Sequence, residues 1–210
     1  MSIAVIDYGM GNLRSVEQAL NATAAGEAIR VTSSPEEVMQ AERVVFPGQG
    51  AMPDCMAELE RRNLKEAVLA AAAEKPFLGI CIGLQMLFSH SEEGDSPGLN
   101  HFMGQVVRFP DAMRAPNGER LKVPHMGWNA VRQEVPHPLW QGIADEARFY
   151  FVHSYYVVPE DASLRAGSCE YGLRFTSTVA KANIFAVQFH PEKSARDGLQ
   201  LLSNFVRWNP

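Results

Sequence analysis

The sequence predicts a doubly wound α/β protein, with a mixed sheet flanked by helices and an additional antiparallel strand region. Short apolar strands alternate with helical segments through the first 88 residues, the pattern of βαβ units. Strand-like segments then follow one another with hardly a helix between them. An amphipathic helix closes the chain.

Residues 3–6 are apolar and partly β-branched and run into Asp7-Tyr8-Gly9-Met10-Gly11, as a buried strand entering a tight glycine loop does. Residues 15–25 read as a helix and residues 28–32 as a second strand. Residues 35–40 form a short helix started by Ser34, and residues 43–46 form a third strand. After Pro47-Gly48-Gln49-Gly50, residues 54–74 are rich in Ala, Leu, Glu and Lys and make the longest expected helix, ended by Pro76. Residues 77–80 are a fourth strand, followed at once by Cys81 and a helical run over 83–88. Residues 89–100 hold two Gly, one Pro and three acids, which predicts a surface loop and the best internal boundary. Beyond it, residues 105–109, 120–123, 128–132, 147–158, 173–179 and 184–189 read as strands, and residues 195–207 as the closing helix.

A chain of 210 residues with 46% hydrophobic and 20% charged residues has enough apolar surface for one sizeable core, and 1–210 reads as a single domain. The net charge of -5 comes without any long run of Lys or Arg, which argues against nucleic acid as a ligand. Three cysteines, Cys55, Cys81 and Cys169, are too few and too scattered for a disulfide framework, and none has zinc-like spacing. A soluble protein in a reducing cytoplasm, with no metal and no membrane segment, is the expectation.

Gly79-Ile80-Cys81-Ile82-Gly83 has the form G-x-C-x-G between an apolar strand and a helix, the sulfur counterpart of a serine nucleophile elbow. Backbone crowds such a turn from both sides, so glycines flank it. The following helix N-terminus favours thiolate over thiol. Taken alone, Cys81 would read as a small buried core residue. Cys55, near the start of an amphipathic helix, and Cys169, in a polar loop-like stretch, read as structural.

His190-Pro191-Glu192 ends the last strand. Residues two apart in an extended chain project to one side, and Pro191 restricts both its own φ and the conformation of His190. A Cys81–His190–Glu192 triad follows, with His190 as proton shuttle and Glu192 holding its tautomer. His90, His101, His125, His137 and His153 have no carboxylate in an equally constrained spacing.

Gly79 to Gln85 together with His190-Pro191-Glu192 resembles the class I (triad) glutamine amidotransferases. Asp7-Tyr8-Gly9-Met10-Gly11-Asn12, Pro47-Gly48-Gln49-Gly50, Pro124-His125-Met126-Gly127-Trp128-Asn129 and Phe151-Val152-His153-Ser154-Tyr155 are similar to the glutaminase subunits of imidazole glycerol phosphate synthase. The similarity spans nearly the whole chain and implies the flavodoxin-like fold of that family and glutamine hydrolysis without a cofactor. It implies that the Gly48-Gln49-Gly50 loop and the Ile82 amide donate to the oxyanion, and that Gln85 and the backbone near Ser154 and Tyr155 hold glutamine. It also implies a heterodimer with a (β/α)8-barrel cyclase subunit of the HisF type, to which ammonia is channelled. Asn12, Met126, Trp128 and residues 150–156 are the interface candidates. Asn12 reads equally as a helix cap, and strand aromatics are commonly core. Gln49 departs from the Val that relatives often carry in this loop.

Three other readings stay open on sequence. Glutaminases of the anthranilate, aminodeoxychorismate or pyridoxal phosphate synthases share the triad. A cysteine peptidase or γ-glutamyl hydrolase would act without a partner, and a binding module on this fold would not need an intact triad.

Overall fold

Strand β1 (Ser2–Ile6) is buried beyond its first residue, as a central parallel strand must be. It is followed by α1 (Leu13–Thr23), β2 (Ala28–Thr32), α2 (Pro35–Gln40) and β3 (Arg43–Gly48). The computed structural model describes residues 1–24 and 26–210, so Ala25, the last residue of the first expected helix, lies outside the described residues. Helix α2 begins as its sequence predicts. Ser34 Oγ accepts from the Glu37 amide at 3.2 Å, and Pro35 occupies the first turn, where a missing N–H costs nothing.

The long helix expected over 54–74 is two helices, α3 (Met52–Arg61) and α4 (Lys65–Glu74). Asn63 takes φ 56°. Its amide donates to Glu60 O at 3.0 Å, and the Leu64 amide donates to Leu59 O at 3.0 Å. Those two bonds form a Schellman stop with Asn at the left-handed position, and buried Leu64 packs back on the core. The helix expected over 83–88 is also shorter. After β4 (Phe77–Cys81), α5 spans only Ile82–Gln85, and β5 (Phe88–Ser91) follows. The Met86 and Leu87 carbonyls accept from the amides of Leu99, His101 and Phe102 instead of from a continuing helix. Strand pairing overrides the helical propensity of this segment.

The segment 89–100 is therefore neither a free loop nor a boundary. It contributes the end of β5, a 3-10 turn at Glu93–Asp95 and β6 (Ser96–Pro97) to the same sheet as β7 (Phe102–Arg108). Residues 120–123 form no strand; an isolated bridge joins Arg114 and Arg120. Then come β8 (His125–Ala130), β9 (Arg132–Gln133), β10 (Arg148–His153), β11 (Tyr155–Pro159), β12 (Arg165–Glu170), β13 (Arg174–Lys181), β14 (Ile184–Val187) and α6 (Ala195–Arg207). The single strand expected over 147–158 divides at Ser154, where the chain leaves a two-stranded sheet with β8 to join the main sheet beside β7. Cys169 lies in β12, paired with Phe175 of β13, and not in a loop.

The main sheet has twelve strands in the order β2-β1-β3-β4-β14-β13-β11-β7-β5-β6, with β12 and β9 attached through β13. The first five run parallel, and antiparallel pairings begin at β14–β13. This is the expected mixed α/β sheet with an added antiparallel region. Apolar residues from both regions, Val45 and Phe77 with Val157 and Phe175 among them, form one continuous core, against which α6 buries Leu201, Leu202 and Phe205.

Candidate active site

Three neighbouring parallel strands bring the sequence-predicted residues to one edge of the sheet. The register pairs Gly48 at the end of β3 with Cys81 at the end of β4, and Val187 at the end of β14 with Ile80. Crevices beyond the carboxyl ends of parallel strands are where open α/β sheets bind ligands. Cys81 has φ 57° and ψ −109°, a strained conformation for a side chain other than glycine. That turn aims the thiol out of the strand. Gly83 is dictated by the same turn, because a Cβ there would lie 1.8 Å from the Phe46 carbonyl oxygen. Helix α5 has only four residues, so it lends Cys81 local amides more than the dipole of a long helix.

His190 Nδ1 lies 2.9 Å from Glu192 Oε1 with both side chains buried. The geometry differs from the extended strand expected: His190 is extended, but Pro191–Lys193 forms a 3-10 turn that folds the carboxylate back onto the ring. Burial opposes a charge on His190. The neighbouring Cys81 and Glu192 outweigh it and push the imidazole up to about 10. His190 Nε2 is buried and makes no hydrogen bond within ordinary distance, and His190 lines the same cavity as Cys81. A cysteine thiolate beside a protonated imidazole can attack a carbonyl carbon, and the imidazolium can then give its proton to a leaving nitrogen.

That cavity encloses about 270 Å³ and is walled by Gln49, Gly50, Cys81, Ile82, Gln85, Ser154, Tyr155 and His190 among the expected residues. Gly48 lies behind the wall, where a Cβ would meet Tyr8 Oη at 2.5 Å. Cys55 Sγ donates to Gln49 O at 3.5 Å beneath the loop. Gln85 Nε2 donates to Tyr155 O at 3.1 Å, and its buried Oε1 is left without a partner.

Sequence reasoning missed Glu93 on the cavity wall and Gln188 beside Cys81, and it had Pro124 only within a resemblance motif and Val152 and His153 only as motif and interface residues, whereas all three line the cavity. Glu93 fell in the segment read as surface loop; its Oε2 accepts from the Met52 amide at 2.8 Å. Gln188 was legible in principle, since it sits two residues before His190 at the end of a strand. His153 Nδ1 donates to Tyr155 O at 2.7 Å, and burial pushes this ring down to about 3.

The other thiols and histidines differ from the pair above. Burial pushes Cys55 up to about 11 and Cys169 up to about 12, which removes them as thiolate nucleophiles at neutral pH. His90 has a carboxylate partner, Asp95 at 2.9 Å, but the pair is exposed and lacks the constraint that holds His190 to Glu192. Among the described residues, no group of three or more His, Cys, Asp or Glu could hold a metal ion, and no helix is long and apolar enough to cross a membrane. Met126 and Trp128 are exposed at 66% and 44% on β8, with Tyr150 packed edge-on against Trp128. Asn12 stands at the start of α1 and makes no capping bond through its side chain.

A family model described as glutamine amidotransferase class-I matches residues 4–208. The chain is 68% identical to an imidazole glycerol phosphate synthase subunit HisH of Dechloromonas aromatica, over 100% of this chain and 97% of that one. It is 66% identical to the subunit of the same name from Aromatoleum aromaticum, over 99% of each. Among solved structures, the glutaminase domain of Trypanosoma brucei CTPS with bound acivicin superposes with a TM-score of 0.63 at 16% identity, covering 100% of this chain and 95% of that one. A second glutamine amidotransferase gives 0.69 at 16% identity, covering 98% and 97%. At such identities these two likenesses speak to the fold alone.

Proposed function

The chain belongs to the class-I glutamine amidotransferase family, and on that footing we propose that it is the glutamine-hydrolysing subunit of an imidazole glycerol phosphate synthase. The chemistry rests on one observation: His190, held by Glu192 at 2.9 Å, shares a cavity wall with Cys81. The choice among glutaminases is supported by full-length identities of 58–68% to HisH subunits.

In this reading the Cys81 thiolate attacks the side-chain carboxamide carbon of glutamine. The tetrahedral oxyanion is met by the Ile82 amide and an amide of the Gly48-Gln49-Gly50 loop; a donor of this kind is worth about 3 to 4 kcal/mol of barrier. His190 protonates the departing nitrogen, the C–N bond breaks, and ammonia leaves a glutamyl thioester. His190 then takes a proton from water, the hydroxyl adds to the thioester carbon, and glutamate departs with the thiolate restored. Glu93 and the free Gln85 Oε1 offer acceptors to the ammonium of the amino acid, which an apolar wall would reject.

The partner of this reading is a (β/α)8-barrel cyclase that takes the ammonia and converts PRFAR into imidazole glycerol phosphate and AICAR, in the cytoplasm. Asn12, Met126 and Trp128 would meet it. The loop bearing Asn12 also packs on the oxyanion loop: a Cβ on Gly50 would lie 2.9 Å from Met10 Cε, and one on Gly11 4.0 Å from Gly48 Cα. Docking near Asn12 therefore reaches Gly48-Gln49-Gly50 directly, and partner and ligand together would favour its donor-inward form. Glutamate release from glutamine is the test, with the chain alone and with a cyclase subunit plus PRFAR. Stimulation that disappears in Cys81→Ala supports the reading; equal turnover with and without the liganded partner sinks the coupling.

A further inference from the structure

We propose that Gln188 acts on the nucleophile: its side-chain N–H stabilises the Cys81 thiolate, while its oxygen fixes the Gln85 amide with Oε1 turned into the cavity. This rests on Cys81 being the nucleophile of the reading above. Gln188 is fully buried on the residue after β14, and the parallel register that pairs Val187 with Ile80 carries it alongside Cys81. Its Nε2 lies 3.7 Å from Cys81 Sγ, and its Oε1 lies 3.0 Å from Gln85 Nε2.

The orientation of both amides follows from one backbone carbonyl. Tyr155 O can only accept, so the Gln85 atom 3.1 Å away must be the nitrogen. A nitrogen there requires the Gln188 atom facing it to be the oxygen. What remains of Gln188 is its NH2, and this is the group that meets the sulfur. The carbonyl is itself pinned, since His153 Nδ1 donates to it at 2.7 Å. Gln85 Oε1 is then the only polar atom of that side chain left over; it is buried and has no partner, and Gln85 itself lines the cavity.

A donor aimed at sulfur favours the thiolate over the thiol, because a bond to the charged form is the stronger one. The two contacts of Gln188 thus serve separate steps: the nitrogen serves nucleophile activation, and the oxygen serves substrate binding through Gln85.

The test follows haloacetamide alkylation of Cys81 against pH in the full chain, with Cys81→Ala as the blank for the other thiols. In Gln188→Met, which keeps length and loses the donor, the pH of half-maximal rate should rise by about one unit and the rate at pH 7 should fall about tenfold. Gln188→Glu keeps an acceptor for Gln85, so its alkylation should fall likewise while the KM for glutamine stays within about threefold of wild type. In Gln188→Met that KM should rise with Gln85 released. Wild-type alkylation profiles in both variants, with circular dichroism showing them folded, would overturn the proposal. Should the variants not fold, the ¹⁵N-labelled unmutated protein decides: the Gln188 side-chain amide resonance should titrate with the alkylation midpoint, and a resonance indifferent to it overturns the proposal. A wild type that alkylates normally but releases no glutamate even with a cyclase subunit and PRFAR present would instead remove the glutaminase reading.

Discussion

His125 Nδ1 lies 3.0 Å from His153 Nε2 in the interior, and the direction of that bond is fixed. Tyr155 O accepts from His153 Nδ1, so His153 Nε2 must accept in turn from the N–H of His125. In this arrangement both rings are neutral: a proton on His153 Nε2 would break the bond between them, and one on His125 Nε2 would displace the Asn129 Nδ2 donor 3.3 Å away. Burial pushes His125 down to about 4 and His153 down to about 3. In the unfolded chain each binds a proton near pH 6.5, so below that pH the unfolded state holds more protons and stability falls as pH falls. The loss is about 1.4 kcal/mol per pH unit for each ring, roughly 2 kcal/mol each at pH 5. Urea unfolding at pH 7 and pH 5 should show this penalty in the wild type and its absence in a His125→Gln, His153→Gln double variant. Equal pH sensitivity of the two proteins would refute the assignment.

Glu192→Gln keeps an acceptor for His190 Nδ1 and removes the charge. Glu192 is one of the groups that push His190 up to about 10, so the imidazolium should be lost at lower pH in the variant. The alkaline limb of kcat should move toward neutrality, and kcat at pH 7.5 should fall roughly 10²- to 10⁴-fold, the scale of a comparable change in a serine triad. Rates of glutamate release across pH 6 to 10 check this, and an unmoved alkaline limb counts against it.

The parallel half of the fold was legible because β1, β3 and β4 are short apolar runs with glycine or proline close by. Cys81 was legible because a turn that crowds its neighbours leaves a glycine signature, seen in the 1.8 Å approach of a Gly83 Cβ to Phe46 O; His190 was legible through the Pro191 and Glu192 that follow it. What was missed depends on partners distant in sequence. Leu87 offers its carbonyl to His101 and Phe102, and nothing local in residues 83–88 announces that the helix stops. The Asn63 stop was local and readable, but good helix formers on both sides masked it. Glu93 reaches the site through a sheet order that joins β5 to β7, which no spacing in the chain displays, whereas Gln188 lay two residues before His190 and was readable there.

Glu93 carries the negative charge on a cavity wall that otherwise offers neutral acceptors and the His190 ring. One of its oxygens is held by the Met52 amide at 2.8 Å, which aims the other without requiring the charge. Glu93→Gln should therefore raise the KM for glutamine about 10- to 100-fold and change kcat by less than about threefold, as expected for lost ground-state and transition-state binding alike. Steady-state kinetics settle the matter. A fall in kcat at unchanged KM would mean that Glu93 serves the reaction and not the binding.

Met126 and Trp128 expose apolar surface at 66% and 44%, two residues apart on the same face of β8. Neighbouring Tyr150 on β10 supports the indole from the side at 6.2 Å between ring centres, so the ring is presented by a braced strand pair. A preorganised aromatic of this kind contributes heavily to binding when a partner covers it, because little side-chain entropy remains to be lost. Trp128→Ala should weaken association with a cyclase subunit by about 2 kcal/mol, close to thirtyfold in Kd. It should leave the thermal midpoint of the isolated chain within a few degrees of wild type, since Trp128 is 44% exposed in the free chain. Titration calorimetry against the cyclase, paired with thermal unfolding of the free chain, separates the outcomes. A variant that melts early with unaltered affinity would return Trp128 to the core, while one that binds weakly and stays folded places it in the interface.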